Sequence, residues 1–132
     1  MTELNPLERA VLTKLLAGDA PALIALRRQL DIATVASRQL TGAGFYTTFE
    51  LPHDVPLAPI RRARFGDVEA EIAGLKHGAG FLVYVDDGKL DMLEGYSYDE
   101  PWPNSVQSFE LRYIDSDHRE DLIEEANDKN EG

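Results

Sequence analysis

The stretch Gly80–Tyr96, "GFLVYV-DDGK-LDMLEGY", constrains the fold more than any other part of the chain. Two strand-like runs flank Asp87–Gly88, a pair suited to the positive φ of a tight hairpin turn. Phe81 to Val85 is apolar on both faces, which places that strand in the middle of a sheet rather than at its edge. A mid-sheet strand needs further partners, and alternating segments elsewhere supply them. "TVASRQL" (34–40) and "GFYTTFEL" (44–51) are β-branched or aromatic and are separated by "TGAG", whose glycines can take a turn. In the second, Phe45, Thr47, Phe49 and Leu51 share one face. In "DVEAEIAG" (67–74), Val68, Ala70 and Ile72 point one way and Glu69 and Glu71 the other, giving a half-buried strand. "VQSFELRY" (106–113) supplies a last strand burying Phe109, Leu111 and Tyr113. The proline-rich "PHDVPLAPIRRARFG" (52–66) is expected to be a loop.

The chain begins with a different period. Leu7, Val11 and Leu15, with Leu12 and Leu16, form an apolar stripe at helical spacing. Asn5 can cap that helix, Pro6 suits its first position, and Glu8 falls where a capping box wants a carboxylate. Gly18 supplies a stop. Asp19 is the expected cap of a second helix, in which Leu23, Leu26 and Leu30 face inward. The reading is an α+β fold: an N-terminal helical hairpin on one face of a mostly antiparallel sheet of about six strands. Residues 1–114 form a single domain, a size able to bury a real core, and 115–132 form an acidic tail expected to be flexible. Leu122 and Ile123 offer that tail one weak helical possibility.

Charge narrows the partners. The formal net charge of −11 is uneven: residues 1–60 carry −1, 61–114 carry −4, and the last eighteen carry −6. Nucleic acid is disfavoured, because a phosphate backbone calls for clustered Lys and Arg and the only such cluster is Arg61, Arg62 and Arg64. An acidic chain instead meets a basic protein or is simply soluble. No apolar run approaches the roughly 20 residues of a membrane helix, and "MTELNPLERAVLTKLL" has no basic region followed by an apolar one. The expected location is cytoplasmic. The absence of cysteine excludes disulfides, thiolate nucleophiles and cysteine zinc sites. Oligomeric state is open.

Four places could carry chemistry. "GLKHGAG" (74–80) has three glycines, but it lacks the spacing of a phosphate-cradling loop and leads into a strand, so a tight turn explains it. His77, within it, is the first candidate general acid or base, with Glu94 beside it as a second; loop histidines also commonly serve backbone groups alone. His53 and His118 have no partner at metal-ligand spacing, so no metal site is expected. Glu69 and Glu71 could share a proton or a cation with Glu94, yet alternate glutamates are also the mark of a solvent-facing strand. The fourth place is "MLEGYSYDEPWP" (92–103). Tyr96 and Tyr98 alternate on one side with Glu94, and Asp99–Glu100–Pro101–Trp102–Pro103 cannot continue a ladder, since two prolines remove its donors. Trp102 either plugs the end of the core or joins Tyr96, Tyr98 and Asp99 in a binding patch.

"GFYTTFELP", "HGAGF…DG…LEGYSYDEPWP" and the closing "FELRY" resemble a group of small bacterial proteins to which no activity is attached. The resemblance spans most of residues 5–114 and implies a bacterial cytoplasmic origin, without any cofactor or catalytic residue. Two functions are compatible with the sequence. One is a non-catalytic interaction module, regulatory or of the immunity type, that shows an acidic and aromatic surface to a basic protein. The other is a small enzyme or ligand-binding domain centred on His77, Glu94 and Tyr96. No cofactor is implied by either.

Overall fold

The computed structural model describes residues 2–114. The acidic tail, with His118, Leu122 and Ile123, lies outside the described residues. Helix α1 (Pro6–Leu15) opens with the expected capping box: Asn5 accepts from the Glu8 amide, and Glu8 accepts from the Asn5 amide. Helix α2 (Pro21–Leu30) starts differently. Its N-cap is Ala20, with no side-chain cap, so Asp19 does not take that role; Pro21 at the first helical position sets the start instead. Arg27 closes the hairpin by donating from Nη1 to the carbonyls of Leu16 (2.6 Å) and Gly18 (2.7 Å).

Seven strands follow: β1 (Thr34–Leu40), β2 (Gly44–Glu50), β3 (Arg62–Phe65), β4 (Val68–Ile72), β5 (Ala79–Asp86), β6 (Lys89–Ser97) and β7 (Phe109–Tyr113). Their order across the sheet is β1-β2-β6-β5-β4-β7, with β3 also on β5, and every pairing is antiparallel. The β5–β6 hairpin turns at Asp87–Gly88, both at positive φ, and β5 lies mid-sheet as its sequence requires. The seventh strand, which the sequence did not offer, is β3, cut from the segment expected to be a loop. Its prolines end at Pro59, and "RARF" then alternates exposed and buried residues.

Strands β3 and β4 run along the same side of β5 as one interrupted strand. Phe65 pairs with Val83 and Glu69 with Gly80, so one extra residue is accommodated between them. Gly66 sits at the break, where a Cβ would lie 2.0 Å from the Phe81 carbonyl oxygen, so only glycine fits.

The core lies between the helices and one sheet face. Leu12, Leu15, Leu16 and Leu26 meet Phe81, Val83 and Leu93, all essentially fully buried. Two polar side chains are buried with them and fasten the layers. Gln29, on α2, donates to the carbonyls of Pro56 (3.0 Å) and Gly88 (2.8 Å) and accepts from the Leu90 amide (2.8 Å), tying the helix to the β5–β6 turn. Glu8 receives Arg38 Nε (2.8 Å) and Nη2 (2.7 Å) and the Thr47 hydroxyl, joining α1 to β1 and β2. A bulge between Val35 and Ser37 turns Arg38 to the helix side. Burial pushes the Glu8 carboxyl up, but the hydrogen bonds from Arg38, Thr47 and the Asn5 amide outweigh it and hold the group below the usual carboxylate range.

Candidate functional site

Because the helices occupy one face of the sheet, alternation delivers every second side chain to the other. Among the described residues no element covers that outer face. Across it, Tyr46 pairs with Glu94 and Glu94 with Leu82, while Thr48, Met92, Tyr84 and Arg64 form the next row. Tyr46, Leu82, Tyr84, Met92, Glu94 and Tyr96 are all half-buried. The Tyr84 hydroxyl donates to Glu94 Oε1 at 2.7 Å. Burial, and then the Glu94 carboxylate, push Tyr84 above the usual phenol range, with Arg64 pulling the other way.

A third row passes from Gly44 through Tyr96 and Gly80 to Glu69 and Arg112. A Cβ on Gly80 would lie 2.6 Å from both Cζ and the hydroxyl of Tyr96, so the phenol end of that ring rests on bare backbone. The reverse happens on the helix side, where the Phe45 ring occupies the space beside Gly95. Tyr98 stands at right angles to Tyr96, with ring centroids 5.7 Å apart, and is 39% exposed. Burial raises the Tyr96 hydroxyl, helped by Tyr98 and the charge of Glu94. Glu69 and Glu71 are bound by Arg112, whose Nε is 2.6 Å from Glu69 Oε1 and whose Nη1 is 3.3 Å from Glu71 Oε1. Those glutamates form a surface ion-pair network.

The corner that follows Tyr98 is stitched down from two sides. The Ser97 amide donates to the Ala43 carbonyl (2.8 Å), the Trp102 amide to Gly42 (2.7 Å), and the Ser97 hydroxyl bonds the Glu100 carbonyl. Asp99 takes a left-handed φ of 60°, a conformation aspartate tolerates better than most residues. Asp99 is exposed. Trp102 is half-buried and packs edge-on against Phe45, centroids 5.4 Å apart, at the margin of the core. It also walls a cleft of about 390 Å³ with Arg38, Leu40 and Val106. The plug and the patch are thus different residues: Trp102 turns inward while Tyr98 and Asp99 stay out.

The glycine loop does hold an anion, and it belongs to the protein itself. Glu100 Oε1 accepts from the Lys76 amide and Oε2 from the His77 amide, both at 2.9 Å. Those two amides draw the Glu100 carboxyl below its ordinary range. The His77 side chain is exposed and lines a cleft of about 750 Å³ with Lys76, Glu71, Glu110 and Arg112. Glu94 and Tyr96 are not among that cleft's lining residues, and among the described residues no hydrogen bond joins them to the His77 side chain. The sheet therefore sets Glu94, Tyr96 and Tyr98 on one face, while the His77 amide is bound by Glu100. Sequence reasoning missed Glu100, Gln29 and Tyr84; only the hairpin register, which sets Tyr84 beside the Glu94 strand, could have flagged the last.

Among the described residues no group of three histidine or acidic side chains is placed to hold a metal ion, and no helix is long and apolar enough to cross a membrane. Comparison of the chain with family models, with curated proteins and with solved structures finds no match.

Proposed function

We propose that the chain is a non-catalytic protein-interaction module, regulatory or of the immunity type, whose docking surface is the outer sheet face and its Tyr98 corner. One observation carries the reading: a seven-stranded sheet presents an aromatic face, Tyr46, Tyr84, Tyr96 and Tyr98 with Leu82 and Met92, that no described element covers. Tyrosines with apolar neighbours give contact area at low entropic cost, as interface centres do. The net charge of −11 makes a basic protein the fitting partner, with charge steering the encounter. The carboxylates available for acid–base work support the same reading: Glu94 is engaged by Tyr84, Glu69 and Glu71 by Arg112, and Glu100 by loop amides.

The test is site-specific photocrosslinking in the cell that makes the protein. A benzophenone side chain at Met92 or Leu82 is expected to give a discrete adduct with a basic protein, weakened by salt. The same group at Arg28, exposed on α2, is expected to give none. Equal adducts from both faces, or none from the sheet, would overturn the proposal.

A further inference from the structure

The outer face is uneven, and one spot on it combines two aromatic rings with a carboxylate. We infer that Tyr96, Tyr98 and Glu94 form a seat for one cationic side chain, a guanidinium or ammonium group carried by a basic segment of the partner. The inference rests on the interaction reading only for the origin of that segment; the seat itself is a local property.

Three features build it. Tyr96 and Tyr98 meet at 88° with centroids 5.7 Å apart, which makes an L-shaped corner of ring surface. Gly80 supplies the floor: because it has no side chain, Tyr96 lies down across β5 instead of standing off it. Glu94, two residues earlier on β6, projects from the same face. Its Oε1 is taken by Tyr84, while Oε2 accepts no hydrogen bond from the described residues. A cation over a tyrosine ring is attracted by the ring quadrupole, and a carboxylate beside it adds direct charge.

Of the protein's own cations nearby, Arg112 is held by Glu69 and Glu71 and Arg64 works on Tyr84; Lys76 and His77 are tied to Glu100 through their backbone amides. The chemistry excludes an anionic ligand and gives no reason to prefer a neutral one.

The experiment uses a defined probe, the peptide acetyl-Gly-Arg-Gly-Arg-Gly-amide at low salt, with a citrulline twin that keeps shape and loses charge. Tyrosine ring resonances are followed by NMR. The Tyr96 and Tyr98 rings are expected to shift and saturate with the arginine peptide, and the Tyr113 ring, whose hydroxyl donates to the Lys14 carbonyl of α1, to stay put. Binding is expected to weaken about fivefold in Tyr96→Leu and in Glu94→Gln, the scale of an exposed cation–π contact. Gly80→Ala, which keeps every seat residue but drives the Tyr96 ring off its floor, is expected to weaken it similarly. Equal shifts with the citrulline twin, or unchanged binding in Tyr96→Leu, would overturn the inference. Its failure is separable from that of the module. A crosslinked partner whose affinity ignores Tyr96 and Glu94 leaves the module standing without the seat; a saturable seat with no crosslinked partner does the reverse.

Discussion

Glu8 is the residue whose removal the structure prices most clearly. It is fully buried, and it joins the start of α1 to β1 and β2 through Asn5, Arg38 and Thr47. Glu8→Ala takes away half of the capping box, about 1 kcal/mol. It strands the Thr47 hydroxyl, itself fully buried, at about 1–3 kcal/mol. It also removes buried methylene packing, about 1 kcal/mol. Arg38 is 30% exposed and recovers water, so its contribution is small. The total is about 3–5 kcal/mol, a large part of the roughly 5–15 kcal/mol by which small domains are stable. The assay is urea denaturation in a cycle with Thr47→Val. Valine cannot strand a hydroxyl, so Glu8→Ala in that background should cost about 1–3 kcal/mol less than in the native one. Additivity of the two changes within about 0.5 kcal/mol would refute the reasoning, because it would mean the hydroxyl finds another acceptor.

The folded Glu8 carboxyl titrates below its unfolded value near 4.3, so its contribution is complete above that pH and lost as pH falls through the lower folded value. Acid denaturation of Glu8→Gln should accordingly be shallower than that of the native protein. Gln29→Leu leaves the Leu90 amide without its acceptor and should cost about 2 kcal/mol with an unchanged denaturant slope. Glu100→Gln should speed hydrogen exchange at the Lys76 and His77 amides several-fold, and in the native protein their protection should fall only below the ordinary carboxylate range. Trp102→Ala, at a half-buried ring against Phe45, should cost about 2 kcal/mol, whereas Tyr98→Ala should change stability by less than about 0.5 kcal/mol.

What the sequence disclosed followed local periodicity. The α1 capping box, the β5–β6 turn and the face shared by Phe45, Thr47 and Phe49 depend on residues close together in the chain, and each is legible there. Strand β3 was hidden because "RARF" is short and follows a proline-rich run; what makes it a strand is the open side of β5. Arg38 shows a deeper limit. Plain alternation from Val35 would send it to the outer face, and only the bulge, invisible without a partner strand, brings it round to Glu8. The site divides the same way. Tyr96, Tyr98 and Glu94 share a face by spacing alone. The bond from the His77 amide to Glu100, more than twenty residues further along, has no local signal in the sequence.

The two glycines Gly80 and Gly95 have one more consequence. At this point aromatic rings lie on opposite sides of adjacent strands: Tyr96 covers the Gly80 backbone outside, and Phe45 covers the Gly95 backbone inside. Trp102 leans on Phe45, and three residues separate it from Tyr98. The chain has a single tryptophan, so its emission reads this one corner without interference. A ligand pressing on the outer rings should therefore alter the colour or yield of Trp102 fluorescence through the thickness of a bare peptide ladder. The protein carries its own optical probe for the surface it presents.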